Sequence, residues 1–248
     1  MSRIVQILGL LFAYSIVLWL PSPAIAQEIS LDLGQEGSLT ARSVQLILLI
    51  TVLSLAPGLL IMVTCFPFLV TVLAILRQAI GLQQSPPNML MVSLALFLTY
   101  FVMEPVFQAA WRDGVTPLLE EQIEFDAALP QILAPFRAFM AARVDGETFL
   151  AMAELRPDAQ SVEPVPEAPL SILVPSFLLS EISRAFQVGF VIFLPFLIID
   201  LVVAAVLMSM GMMMVPPAIV SLPFKLAFFV VADGWTLIAA ALVRSYAP

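Results

Sequence analysis

The sequence contains no histidine, and it has a single cysteine, Cys65, among its 248 residues. Nucleophiles activated by histidine are therefore excluded, as are disulfides within the chain and the common zinc sites built from cysteine and histidine. We interpret Cys65, which lies in an apolar run, as a small buried hydrophobic residue. No metal ion or cofactor is expected.

Charged residues are also scarce. They make up 11% of the chain, and apolar residues make up 61%, whereas soluble domains have about 25% and roughly 45–50%. This composition is typical of a membrane protein. The net charge of -8 is the opposite of what a nucleic-acid-binding protein needs.

The first 26 residues have the pattern of a secretory signal peptide. Arg3 supplies a positive start, residues 4–20 form an apolar stretch, and Ala24 and Ala26 form a small-residue cleavage site. We expect cleavage after Ala26, which would place an exposed tail, residues 27–43, outside the cytoplasm. The alternative is an uncleaved anchor helix.

Four apolar blocks follow, and each is about as long as the 20 residues that a helix needs to cross a bilayer. Pro57 and Pro67 interrupt the first block, so we expect a broken helix with a bend between them. The sequence predicts an all-α membrane protein whose helices form hairpins over 44–107 and 185–248. The blocks cover residues 44–80, 89–107, 186–208 and 218–243.

The only large polar region, residues 108–184, lies between the second and third blocks. Eleven acidic residues from Asp113 to Glu167 outnumber the four arginines from Arg112 to Arg156. Its stretch from Arg156 to Pro169 is rich in proline, which favours an extended loop. Upstream, Phe136 and Met140 are among the apolar residues at helical spacing, which predicts short amphipathic helices.

The predicted signal peptide also sets the orientation. With an exported N-terminus and an even number of crossings, the acidic region is periplasmic, and the loops near 77–88 and 209–221 face the cytoplasm. We interpret Arg77 as an orientation charge. The acidic region is either a docking surface or a solvated loop.

A methionine-rich loop, residues 208–217, connects the last two blocks. Gly211 tolerates almost any backbone conformation, and Pro216 and Pro217 prevent the preceding helix from continuing. An ordinary turn would contain Asn, Asp or Ser, whereas flexible thioethers repack around varied partners. The methionines occupy five of the seven positions from 208 to 214: Met208, Met210, Met212, Met213 and Met214.

We interpret this loop as a deformable apolar constriction that excludes ions yet parts around a passing polypeptide. The alternative is a hydrophobic turn buried in lipid. One chain cannot enclose a pore for an unfolded polypeptide, so the constriction predicts a homo-oligomeric ring. A stripe on the third block would then pack between hairpins and subunits; it contains Phe186, Phe190, Phe193 and Leu197.

Three long motifs resemble the FliP family of flagellar export-gate proteins. They are PFLVTVLAILRQAIGLQQSPPN from Pro67, FQVGFVIFLPFLIIDLVVAAVLMSMGMMMVPP from Phe186, and LPFKLAFFVVADGW from Leu222. With the signal peptide and the acidic region in the same order, the resemblance covers nearly the whole mature chain. The virulence type III secretion counterpart is the nearest alternative, and the chain departs from the pattern mainly in the proline-rich stretch.

The resemblance implies a non-enzymatic component of the type III export apparatus in the bacterial inner membrane, at the flagellar basal body. It implies a ring of five copies assembled with FliQ and FliR, working with FlhA and FlhB to pass unfolded flagellar subunits. It also implies that helices of the assembled complex lie largely above the surrounding bilayer. The family's pore-constricting loop corresponds to Met210, Met212, Met213 and Met214 here.

Charged residues within or beside the apolar blocks are the other candidate functional groups. Asp200 and Lys225 lie at similar distances from the loop, so they can pair within one chain. Glu181 can reach Lys225 only between staggered subunits, and the family's assembly favours this intersubunit bridge slightly. A third possibility is that Lys225 extends to the cytoplasmic surface.

Two other functions are considered. A proton-coupled membrane transporter would use Asp200 and Asp233 as a relay, but it gives no reason for the methionines. A membrane hydrolase would need a nucleophile with an activating base, and the sequence offers no plausible pair.

Overall fold

The computed structural model describes residues 39–82, 85–156 and 166–246. The predicted signal peptide, with Arg3, Ala24 and Ala26, lies outside the described residues, as does most of the tail. The chain divides into two units, the first ending at Thr51 and the second beginning at Val52. The described residues of the first unit are 39–51, and all of them are helical.

Every regular element among the described residues is helical, which confirms the predicted all-α class. A single π-helical turn, Trp111–Val115, follows the third helix directly. The α-helices are α1 Leu39–Met62, α2 Phe66–Ile80, α3 Asn88–Ala110, α4 Thr116–Leu119, α5 Phe125–Arg143, α6 Gly146–Glu154, α7 Leu170–Ser209, α8 Pro217–Val231 and α9 Gly234–Arg244.

The first apolar block is broken, as predicted, and the break lies at residues 63–65. The helix continues through Pro57, so only Pro67 marks the interruption. Pro67 occupies the first turn of α2, where its missing N–H has no helical partner to lose. The Thr64 hydroxyl donates to the Ile61 carbonyl at 2.9 Å within the break.

Helix α2 lies at the centre of the second unit and packs against α3 and α7. Seven of its fifteen residues are buried, at the roughly 3.6-residue spacing of one helix face. Gly189 brings α7 close, because a Cβ at this position would lie 2.4 Å from Ile75 Cδ1. A small residue at the crossing is how apolar helices approach each other.

The acidic region is mostly helical. Phe136 and Met140 are buried on one face of α5, which confirms the predicted amphipathic helix. Met140 joins Phe149 of α6 and Phe177 of α7 in a second apolar core. The Arg137 guanidinium holds the carbonyl of Ala168 at 2.9 Å, so the end of the proline-rich stretch is anchored to α5.

Helix α7 is 40 residues long and begins at Leu170, so the proposed domain boundary at residue 185 falls inside one continuous helix. The last apolar block is divided into α8 and α9, which are bent by 62° at Ala232 and Asp233. Asp233 adopts a left-handed conformation with φ of 47° at this bend. The sequence did not predict this break.

Three helical stretches of the described chain are long and apolar enough to cross a membrane: Ser43–Met62, Asn88–Leu119 and Leu170–Ser209. The bent pair α8 and α9 makes a fourth if it counts as one span. Each of the three stretches overlaps one of the predicted apolar blocks.

Candidate functional site: the methionine loop and two charged clusters

The methionine loop is fixed at its base by the end of α7. Gly211 has a φ of 77°, a left-handed conformation that glycine adopts at little cost. The Gly211 N–H donates to the Met208 carbonyl and the Met212 N–H to the Leu207 carbonyl, both at 3.0 Å. This pair of bonds is a Schellman motif, which ends a helix.

The other side of the loop is equally well defined. Pro216 is extended, with φ of -64° and ψ of 117°, and Pro217 occupies the first position of α8. The loop therefore joins a helix end closed by the Schellman motif at Gly211 to a helix that follows Pro216 and begins at Pro217 without a side-chain cap.

The methionines between these ends are exposed in the single chain. Met214 is 97% exposed and Met213 is 85% exposed. Met208, Met210 and Met212 are also exposed, although Met212 less so. Clustered apolar side chains that are left uncovered mark a surface that contacts something else.

Asp200, Ser221 and Lys225 form the first charged cluster, the Asp200 cluster, between α7 and α8. The Lys225 ammonium donates to Asp200 Oδ2 at 2.6 Å. It also donates to the Ala79 carbonyl in the last turn of α2 at 3.1 Å. The Ser221 hydroxyl donates to Asp200 Oδ1 at 2.6 Å. The Lys225 ammonium thus joins the two helices of the methionine-loop hairpin by an ion pair and ties them to α2 by a hydrogen bond.

The pair that Lys225 forms within the chain is the one that the hairpin spacing allows. Lys225 is 6% exposed, so the interpretation in which it extends to the surface is wrong. The intersubunit bridge from Glu181 to Lys225 stays a prediction, because a single chain cannot test it. Both residues already have partners here, so forming that bridge would require two existing pairs to separate.

Glu181 is the centre of the second charged cluster, the Glu181 cluster. Its carboxylate is fully buried and pairs with Arg143 Nε at 3.1 Å and with Arg184 at 3.5 Å. The Tyr246 hydroxyl donates to its other oxygen. A buried carboxylate needs several such partners to offset lost hydration.

Arg143 connects this cluster to the end of α9. Its Nη1 donates to the Ser245 carbonyl at 2.9 Å, and its guanidinium carbon lies 4.0 Å from the centre of the Tyr246 ring. That ring also stacks on Phe139. Burial and the Glu181 charge raise the pKa of Tyr246, so the phenol stays protonated as a donor.

Sequence reasoning missed Arg143 and Tyr246. Arg143 is 38 residues from Glu181 and Tyr246 is 65 residues from it, and neither lies in an apolar run that would have singled it out. The only available signal was the position of Arg143, a cation at the end of a predicted amphipathic helix.

The remaining predicted residues lie apart from these clusters. Asp233 begins α9 and accepts a hydrogen bond from the Thr236 hydroxyl at 3.1 Å. In the described chain no hydrogen bond or ion pair joins Asp233 to Asp200, so no direct link supports the relay of a transporter. Cys65 is buried, as predicted. Phe186 and Phe190 on the predicted stripe are 60% and 64% exposed.

Comparison with known proteins identifies the family. A sequence model of the FliP family matches residues 49–242. The chain is 50% identical over 228 residues to the flagellar biosynthetic protein FliP of Caulobacter vibrioides, covering 92% of this chain and 85% of that protein. The corresponding protein of Agrobacterium fabrum is 47% identical over 242 residues, 95% of this chain and 98% of its own length.

A third relative gives the same result. The flagellar biosynthetic protein FliP of Bacillus subtilis is 45% identical over 207 residues, covering 82% of this chain and 92% of that protein. The match to the family model covers the methionine loop and those residues of both charged clusters that lie on α7 and α8, since all of them fall within residues 49–242. The chain therefore belongs to the FliP family.

Proposed function

We propose that this chain is a non-enzymatic component of the flagellar protein export gate, in which several copies form a ring and their methionine loops seal the channel. The relatives are flagellar biosynthetic proteins, which supports a role in flagellar export. The observation that carries the finer proposal is the exposed methionine loop between the Schellman motif that ends α7 and the two prolines that precede and begin α8.

The geometry of the loop supports a seal more than a passive turn. Its base is held by the Schellman motif, whereas the side chains of Met213 and Met214 meet almost nothing in their own chain. A fixed backbone with free thioethers can close against identical loops around an axis and still yield to cargo. A loop in lipid would need no such concentration of methionine.

The exposed faces of the second hairpin support assembly. Phe186, Phe190 and Leu201 on α7, and Phe224 on α8, are all more than half exposed. Such faces pack against neighbouring copies or other helical subunits in a membrane assembly. Following the family resemblance, the ring contains five copies with FliQ and FliR, works with FlhA and FlhB in the inner membrane, and passes unfolded flagellar subunits.

The two charged clusters have distinct roles in this proposal. The Asp200 cluster holds α8 against α7 and α2 and so sets the position of the loop. The Glu181 cluster holds the end of α9 near α5 and α7. An intersubunit bridge from Glu181 to Lys225 remains the competing arrangement for the assembled ring.

The test replaces Met212, Met213 and Met214 together with alanine in cells that assemble the complete apparatus. We expect leakage of small ions across the inner membrane, because alanine is too short to close the channel. A second triple variant with leucine keeps the volume but removes the flexibility of the thioether. It should remain tight to ions and export more slowly.

Met89→Ala is the matched control, since Met89 is 83% exposed but lies at the start of α3. It should neither leak nor slow export. A tight membrane with normal export in the triple alanine variant would refute the sealing role while leaving the family assignment intact.

A further inference from the structure

The methionine loop is also a concentration of soft sulfur donors. Every apolar side chain from Met208 to Met214 carries a thioether, although leucine would give an apolar surface as well. A thioether sulfur is a neutral, polarisable ligand that prefers soft metal ions, among which Cu(I) is the biological example. The shortage of histidine and cysteine in this chain does not exclude such a site.

The backbone of the loop holds its central methionine against the helix end. In the Schellman motif, Met212 directly follows the left-handed Gly211, at the position whose side chain commonly packs back on the last turn. Met212 is accordingly the least exposed of the five methionines, at 37%, and Leu207 is buried. The Met213 N–H donates to the Gly211 carbonyl at 3.0 Å, which makes a three-residue turn centred on Met212.

Three thioethers can therefore meet at one point. Met212, Met213 and Met214 are consecutive, so neighbouring Cα atoms are about 3.8 Å apart, and each side chain has three rotatable bonds that orient its sulfur. Met213 and Met214 are 85% and 97% exposed, so binding an ion breaks almost no packing within the chain. Met208 and Met210 are less suited, because residues two apart at a helix end point about 200° away from each other.

The surroundings of the loop select the kind of ion. Residues 208–217 include no carboxylate, whereas Mg²⁺ and Ca²⁺ require oxygen ligands and Zn²⁺ prefers thiolate, imidazole or carboxylate. The nearest acid before the loop, Asp200, lies about 12 Å along α7 from Met208 and is paired with Lys225. Neutral thioethers without a compensating anion suit a soft ion that carries a single positive charge.

We propose that the methionine loop binds one soft monovalent metal ion, Cu(I) or its chemical analogue Ag(I), through the thioethers of Met212, Met213 and Met214. The site belongs to the single chain and requires neither the ring nor the sealing role. Within the proposed ring, a bound ion would tie together thioethers that must part for cargo, and this consequence rests on the proposed function.

Silver(I) is the probe, because it keeps its oxidation state in air. The full chain carrying Cys65→Ala has thioethers as its sole sulfur ligands, since Cys65 is the one cysteine. This background protein is purified in mild detergent and titrated with silver nitrate in chloride-free buffer by calorimetry. We expect saturable binding of one ion per chain.

Leucine variants of the background protein assign the ligands while keeping the loop apolar. Loss of a residue that only supports a metal ligand weakens binding about 10–100-fold, so replacing Met212, Met213 and Met214 together should weaken silver binding more than about 100-fold. The matched control replaces Met208 and Met210, which keeps the three proposed ligands. It should change the affinity by less than about tenfold.

Protonation gives an independent readout. A thioether has no proton to release, so the silver affinity should be the same at about pH 5.5 and about pH 7.5, whereas sites of thiolate, imidazole or carboxylate weaken as protons compete. Methyl signals give another. With ¹³C-labelled methionine methyl groups, silver should shift the signals of Met212, Met213 and Met214 and leave that of Met89, which is exposed outside the loop.

Equal silver affinity in the triple leucine variant and the background protein would overturn the proposal. An equal loss in the Met208 and Met210 control, or an affinity that falls at acidic pH, would refute the assigned ligands. A shift at Met89 as large as those in the loop would show unspecific adsorption and refute the site even without the leucine variants. None of these outcomes bears on the sealing role, which is measured by ion leakage.

Discussion

The two charged clusters of α7 lie 19 residues apart, about 28 Å along the helix axis, and differ in their access to water. Glu181 is fully buried, with three partners on its carboxylate. Asp200 is 33% exposed at its side chain, whereas its partner Lys225 is 8% exposed. The carboxylate of the Glu181 cluster is closed to water, and the carboxylate of the Asp200 cluster is open on one side.

This difference determines how each cluster responds to the loss of a charge. At a buried ion pair that water cannot reach, removing one residue leaves the charge of its partner without compensation. Where water reaches the carboxylate of the pair, hydration replaces part of the lost ion-pair interaction. The closed cluster is therefore suited to hold helices permanently, and the open one to adjust when the subunit meets a partner.

The largest effect is expected for Glu181→Ala, which leaves Arg143 and Arg184 without their carboxylate. We expect the protein to lose about 3 kcal/mol or more of unfolding free energy. Denaturation of the purified protein in mild detergent measures this loss. Glu154→Ala, at the exposed end of α6, is the control and should change little. Equal stability of the two variants would show that the Glu181 cluster is not closed in solution.

The next largest effect is expected for Lys225→Ala. Lys225 donates both to Asp200 and to the Ala79 carbonyl, whereas Asp200 keeps its bond to Ser221 and its exposure to water, so we expect a loss of about 2–3 kcal/mol. A double-mutant cycle with Asp200→Ala in the single chain should show coupling, and a cycle with Glu181→Ala should show almost none. Coupling of Lys225 to Glu181 that appears only in assembled complexes would establish the intersubunit bridge.

Tyr246→Phe tests the phenol separately from its ring. The variant keeps stacking on Phe139 but loses the hydrogen bond to Glu181, which should cost about 1.5–3 kcal/mol. Because folding raises the pKa of Tyr246, its contribution is fully present below the ordinary value of 10.0 and is lost as the pH rises above it. The parent protein should therefore lose stability at alkaline pH more steeply than the variant, as unfolding across a pH series would show.

The smallest effect is expected for Ser221→Ala. This change removes one donor to Asp200, whose oxygens remain accessible to water, so we expect a loss of about 0.5–1.5 kcal/mol. Ser180→Ala offers a comparison beside the closed cluster, because the Ser180 hydroxyl accepts from the Asp145 N–H at 3.0 Å. A larger loss at Ser221 than at Ser180 would reverse the proposed contrast in water access.

Much of the fold follows from local sequence patterns. Apolar block length predicted the long helices, Pro67 predicted the break before α2, and the spacing of Phe136 and Met140 predicted α5. The geometry of the methionine loop was also predictable, because Gly211, Pro216 and Pro217 act through the backbone of their own segment.

Features that depend on distant contacts were less accessible. The start of α7 at Leu170 directly follows the proline-rich stretch, and Phe177 packs this part of the helix against α5 and α6. No proline stands at the bend at Asp233, so the signal that marked the break at Pro67 is missing there. Two of the three partners of Glu181, Arg143 and Tyr246, come from other segments, and no spacing rule links them to α7.

One continuous helix carries both charged clusters and ends at the methionine loop. Forty residues of α7 correspond to about 60 Å, twice the hydrocarbon thickness of a bilayer. If α7 pivots as a rigid lever held at the Glu181 cluster, a tilt of about 5° would move its far end by roughly 4 Å, since some 42 Å of helix separates the two. That displacement is comparable to the width of a thioether side chain. Forces applied to the acidic region would thus reach the loop mechanically, with no change in the fold between them.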